Sequence, residues 1–179
     1  MVDPATTRKL LFQLMFLSVC FLVIFIKMLP LGTEPSAIPA PDLIFAFTAC
    51  FVIRRPRYAP VGLIIFVHLI ADMLFLRPMG LWPAITLLAY EYLRHKETDQ
   101  TDLELSVELL LVPAVFAIAM GANSLVYFTL DIVHPSLGQT LLHVLMTAVA
   151  YPFVIGVTEF IFGVRRVRPG EIEADGSTL

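Results

Sequence analysis

Long blocks of apolar residues, separated by short polar or proline-rich punctuation, run along this chain almost from end to end. A helix that crosses a bilayer needs about 20 mostly apolar residues, so the blocks read directly as candidate spans. The first covers residues 10–29, after Arg8 and Lys9. It is long for the core of a signal peptide, and Pro39 and Pro41 interrupt the small residues that follow, so it reads as a retained helix. The proline-rich stretch 30–41 is a poor helix former and is expected to run along the outer surface. The second block, 43–53, has only eleven residues, or sixteen counted from Ile38. It reads as a short span in a locally thinned bilayer or as a re-entrant segment. A third block, 58–76, follows the corner Arg54-Arg55-Pro56-Arg57, and a fourth, 79–93, follows a tight Arg77-Pro78 turn. A strongly charged loop is expected between Arg94 and Glu104. The fifth block, 105–130, is interrupted by Pro113 and Gly121, and the sixth, 140–163, carries Pro152 as an expected kink. The pattern predicts one transmembrane domain of about six helices over 1–168 and a disordered cytoplasmic tail over 169–179.

Lysine and arginine positions discriminate between the two readings of the second block. With six crossings, Arg8, Lys9, Arg54, Arg55, Arg57, Arg94, Lys96, Arg165, Arg166 and Arg168 share one face, and only Lys27 and Arg77 fall on the other. Ten against two is a strong positive-inside bias, which predicts cytoplasmic termini. A re-entrant second block would move every later loop to the other side and destroy the asymmetry. Six crossings are therefore expected.

Composition agrees with the pattern. Hydrophobic residues make up 58% of the 179 and charged residues 15%, an apolar excess that a water-soluble domain of this size could not hide. The formal charge of −3 carries no basic stripe for nucleic acid. Cys20 and Cys50 lie in different blocks at different expected depths, which argues against a disulfide; with no CxxC or histidine pattern beside them, they read as packing residues.

Ionisable groups inside apolar blocks are costly in lipid and mark the places where chemistry or docking is expected. Asp72 lies about one turn before the outer end of the third helix, where the dipole disfavours a carboxylate. Arg77 and Lys27 are its available cations, so a structural ion pair is the first expectation and a docking or proton-carrying acid the second. His68, one turn earlier on the same face, could join a relay with Asp72. Glu91 and Glu159 are within reach of Arg94 and Arg165, and Glu104 and Glu108 suit the N-terminus of the fifth helix. Asn123 and Ser124 are expected to hydrogen-bond to a neighbouring helix, and His143 to be interfacial. The small residues Ala117, Gly121 and Ser124 form a face that packs against the sixth helix or admits a partner helix closely. No zinc-protease, serine-hydrolase or phosphate-loop motif occurs, so no catalytic residue, cofactor or metal is expected.

Between residues 41 and 80 the sequence resembles the MreD family of bacterial rod shape-determining proteins. The resemblance rests on Pro41-Asp42-Leu43 at the entry to the second helix and on the Arg54-Arg55-Pro56-Arg57 corner. It continues with Gly62 and Asp72-Met73-Leu74 in the third helix and with Met79-Gly80 eight residues after the aspartate. His68 departs from the small residues usual at its position, and no glycine directly follows the Asp72-Met73-Leu74 element. The resemblance implies a multi-pass protein of the bacterial inner membrane, with a fold like the substrate-binding subunit of energy-coupling-factor transporters. It implies a non-enzymatic role in the elongation complex, binding MreC. Through MreC the protein would be linked to the MreB filament, the SEDS glycosyltransferase and the class B penicillin-binding transpeptidase. The fold kinship leaves an alternative, a small-molecule (vitamin) binding subunit of a transporter. That role needs a polar pocket open to the outside, and the outer loops offer few polar side chains.

Overall fold

A computed structural model describes residues 4–29, 39–99, 104–132 and 135–162; the expected tail and most of the proline-rich connection lie outside them. The described residues are helical, with no strand. Helix α1 spans Pro4–Met28, α2 Leu43–Arg54, α3 Val61–Leu74, α4 Leu81–Asp99, α5 Leu105–Thr129 and α6 Leu137–Phe162, with one 3-10 turn at Pro56–Tyr58. Three helices are long and apolar enough to cross a membrane: Thr6–Met28, Leu105–Thr129 and Leu137–Phe160, with mean hydropathies of 2.4, 2.1 and 1.8. They make this a helical protein of membrane type.

The shortest helix sits at the centre. Every residue of α2 from Ile44 to Arg54 is buried, and α1, α4, α5 and α6 all pack on it. A helix that is apolar all round and lacks a polar stripe finds its place inside a bundle. At 1.5 Å per residue α2 is about 18 Å long, well short of a hydrocarbon core of about 30 Å. Enclosure removes the difficulty, because backbone and polar ends at membrane depth are tolerated where protein surrounds them. Its aromatic residues carry the packing: Phe45 lies 4.7 Å from Phe116 and 5.1 Å from Tyr90, and Phe51 lies 5.5 Å from Phe16, ring centre to ring centre.

Helix ends are satisfied locally. Asp42 caps α2, its Oδ1 accepting the Phe45 N–H at 3.1 Å. Helices α3 and α5 both close with the bond pattern of a Schellman motif, Arg77 N–H to Asp72 C=O and Ile132 N–H to Tyr127 C=O, each 3.0 Å. The left-handed positions they require are held by Leu76 and Asp131, both at φ 53°, where glycine is usual. Between α3 and α4, Gly80 at φ 86° supplies the other left-handed residue of the turn.

One expectation about the elements changes. Helix α4 does not stop at Leu93 but continues through the charged stretch to Asp99, supported by the Arg94–Glu91 bond of 2.6 Å one turn apart. Straight-chain charged residues are good helix formers, and hydropathy alone cannot register that. Pro113 and Pro152 lie inside the continuous helices α5 and α6, each of which the sequence read as one block.

Candidate functional site

Side-chain contacts define two ends of the bundle. At one end Phe12 stacks on Tyr58, Arg94 donates to the Ala59 carbonyl, and Arg54 meets Glu108 and Glu159. At the other lie Lys27, Asp42, Asp72, Arg77, Trp82 and His143. Each end carries a polar cluster, and the two differ in kind.

The first cluster is closed. Arg54, the last residue of α2, is buried, and its Nη2–H donates to Glu108 Oε2 at 3.3 Å while Nη1–H donates to Glu159 Oε1. Tyr151 O–H donates to the other Glu108 oxygen at 2.7 Å. One guanidinium thereby ties the end of α2 to the start of α5 and the end of α6. The sequence reading placed Arg54 in the basic corner, Glu108 among acids suited to a helix N-terminus, and Glu159 beside Arg165. Glu159 is joined to Arg54 instead, and Arg165 lies outside the described residues. The missed signal is the position of Arg54, directly continuous with the apolar run of α2 and so carried into the core with it.

The second cluster is open. Asp42, held by its cap bond, donates its N–H to Thr147 Oγ1 at 3.0 Å, and Thr147 O–H donates to the His143 carbonyl at 2.8 Å. Arg77 lays its guanidinium over the rings of Phe75 and Trp82, 5.4 and 5.9 Å from their centres, and Lys27 sits 5.9 Å from the Phe75 centre. Asp42, Arg77, Trp82, Asn123 and His143 line a common cleft of about 140 Å³ between α2, α4, α5 and α6. Asn123 Oδ1 and His143 Nε2 are buried there without a hydrogen-bond partner.

Several expectations for single residues change here. Asp72 and Arg77 make no side-chain ion pair. The Asp72 Oδ2 accepts the Gly80 N–H at 3.2 Å, and the link to Arg77 is between backbone groups. The Schellman closure turns the Arg77 side chain onto the aromatic rings and away from the carboxylate. His68 does not join Asp72 either. Its Nδ1 lies 3.0 Å from the Ile64 carbonyl and its Nε2 3.1 Å from the Tyr90 hydroxyl. A carbonyl only accepts, so Nδ1–H donates to Ile64. Asn123 and Ser124 face the cleft, and Asn123 Oδ1 has no bond to a neighbouring helix. Gly121 does not pack against α6: a Cβ built there would meet nothing within 4 Å, and Ala117 beside it is exposed. The Asp42 end of the bundle gathers polar groups because residues from four separated segments converge there.

Cys20 and Cys50 are both free and buried. Among the described residues no group of three or more His, Cys, Asp or Glu is placed to hold a metal ion. Comparison with known proteins finds no family model, no curated protein and no solved structure that matches this chain.

Proposed function

We propose that this chain is a non-enzymatic inner-membrane component of the bacterial elongation complex, helping to link MreC and the MreB cytoskeleton to lateral peptidoglycan synthesis. The observation that carries the reading is where the residues of the MreD-like stretch fall. Asp42 caps the central helix, Arg54 anchors its other end, and Asp72 and Gly80 bond each other across the α3–α4 turn. Several residues of the resemblance thus fall at polar joints of the bundle, which supports the reading.

In this reading all six helices cross the membrane, α2 inside the shell of the others, with both termini cytoplasmic and the Asp42 end facing outward. The fold is then of the kind used by substrate-binding subunits of energy-coupling-factor transporters. Association in lipid relies on close packing and a few interhelical hydrogen bonds. The exposed Ala117–Gly121 face of α5 offers a close approach for an MreC helix. Deletion should turn rod-shaped cells round and impair lateral wall insertion; normal shape and normal insertion would remove the assignment.

One observation favours a second reading, the small-molecule binding subunit of a transporter: the polar cleft between Asp42 and His143. Copurification from native-lipid extract separates the two. Wall-synthesis partners select the first, and a transporter ATPase module the second.

A further inference from the structure

An acid and a base line one small cavity without meeting. Asp42 and Arg77 both face the cleft, yet no ion pair joins them, and among the described residues neither has another charged partner within salt-bridge distance. One Asp42 oxygen is used by the helix cap, and among the described residues the other receives no hydrogen bond. Among the described residues the Arg77 guanidinium makes no hydrogen bond either, and it rests on two aromatic faces. Asn123 and His143 belong to the same wall, but their unpartnered Oδ1 and Nε2 atoms have no surface open to the cleft. Two opposite charges that share one space without pairing describe a site with complementary demands.

Those demands exclude the simplest ligands. A lone anion would meet the Asp42 carboxylate, and a lone cation would meet Arg77 with Lys27 behind it. We infer that the cleft binds a small zwitterion, in which an ammonium and a carboxylate or phosphate lie a few bonds apart. The anionic group takes the Arg77 guanidinium, and the ammonium takes the Asp42 carboxylate. A cavity of about 140 Å³ holds far more than one water but is smaller than the roughly 300–1,000 Å³ of drug-sized pockets, which suits a molecule of amino-acid size. Two sources share this chemistry: a free amino acid, and the phosphoethanolamine headgroup of a membrane lipid. The inference does not depend on which reading of the protein's function is correct.

Trp82 lines the cleft and is the chain's single tryptophan, so its emission reports on the site directly. The full chain in nanodiscs of phosphatidylglycerol is titrated with O-phosphoethanolamine, each standard L-amino acid, inorganic phosphate and ethylamine. The expected result is a saturable change in emission with at least one zwitterion, at a Kd at least tenfold below those for phosphate and ethylamine. Arg77→Gln should weaken that binding about tenfold or more, as loss of a charge-assisted bond does. Asp42→Asn, which keeps the capping oxygen and removes the charge, should weaken it without affecting the helical circular dichroism. In mixed nanodiscs, native mass spectrometry assigns the source. Selective retention of phosphatidylethanolamine over phosphatidylcholine, whose quaternary ammonium has no N–H to donate, identifies the lipid; response to an amino acid without such retention identifies the free ligand. The inference is overturned if no zwitterion gives a saturable response and no phosphatidylethanolamine is retained, or if binding is unchanged in both variants.

Discussion

Glu108 shows how much can rest on one side chain. It is fully buried between the Arg54 guanidinium and the Tyr151 hydroxyl. Breaking a buried pair by removing one partner leaves the other charge uncompensated and costs about 3–5 kcal/mol. Glu108→Ala should therefore lower stability by that order, and Tyr151→Phe by about 1–2 kcal/mol for a bond to a charged group. Thermal unfolding in detergent checks both. If Arg54→Met with Glu108→Met is no better tolerated than Glu108→Ala alone, the pair is not what the single change disrupts.

At the scale of elements, α2 and α5 respond to substitution in opposite ways. Ala49 is fully buried in the middle of α2, where added volume costs about 1–3 kcal/mol, so Ala49→Leu should destabilise the bundle. Gly121 on α5 faces open space, and a leucine there gains helix propensity of up to about 1 kcal/mol. Gly121→Leu should leave the melting temperature unchanged or raised. Loss of MreC from pull-downs with that variant, with stability intact, would mark the face as the docking surface; a lowered melting temperature would instead return the glycine to internal packing. The α3–α4 turn depends on its conformation more than on its contacts. Gly80→Ala places a Cβ at φ 86° and should cost about 1–2 kcal/mol, although nothing crowds the position.

For the whole molecule, the proposed topology makes a claim that needs no partner. Introduced cysteines in a chain freed of Cys20 and Cys50 should label from the cytoplasmic side at His95→Cys and from the outside at Ser136→Cys. External labelling at His95→Cys would overturn the six-crossing arrangement with cytoplasmic termini. The alternating ends visible in the contacts are what such a topology requires: Arg54, Glu108 and Glu159 gather at one end, Asp42, Arg77 and His143 at the other.

The sequence by itself determined that this chain is helical and of membrane type, and where its helices lie, except that α1 begins six residues earlier and α4 ends six residues later than their apolar blocks. Both follow from local properties, since run length, hydropathy and proline placement do not depend on what a segment packs against. It also pointed to Asp42, Asp72 and Gly80 through the resemblance, and to the Glu91–Arg94 pair through spacing along one helix. Tertiary structure alone decided the rest. That α2 is central, and so can be short, depends on the helices surrounding it. That Arg54 meets Glu108 and Glu159, 54 and 105 residues away, depends on how three helices are ordered and rotated. Asp72 lost its expected partner because the turn after α3 directs Arg77 elsewhere. The cleft draws on four segments, and no single one of them carries its pattern. Polar pairing inside a bundle is a property of helix arrangement, and one-dimensional periodicity says which residues are apolar without saying which neighbours they will have.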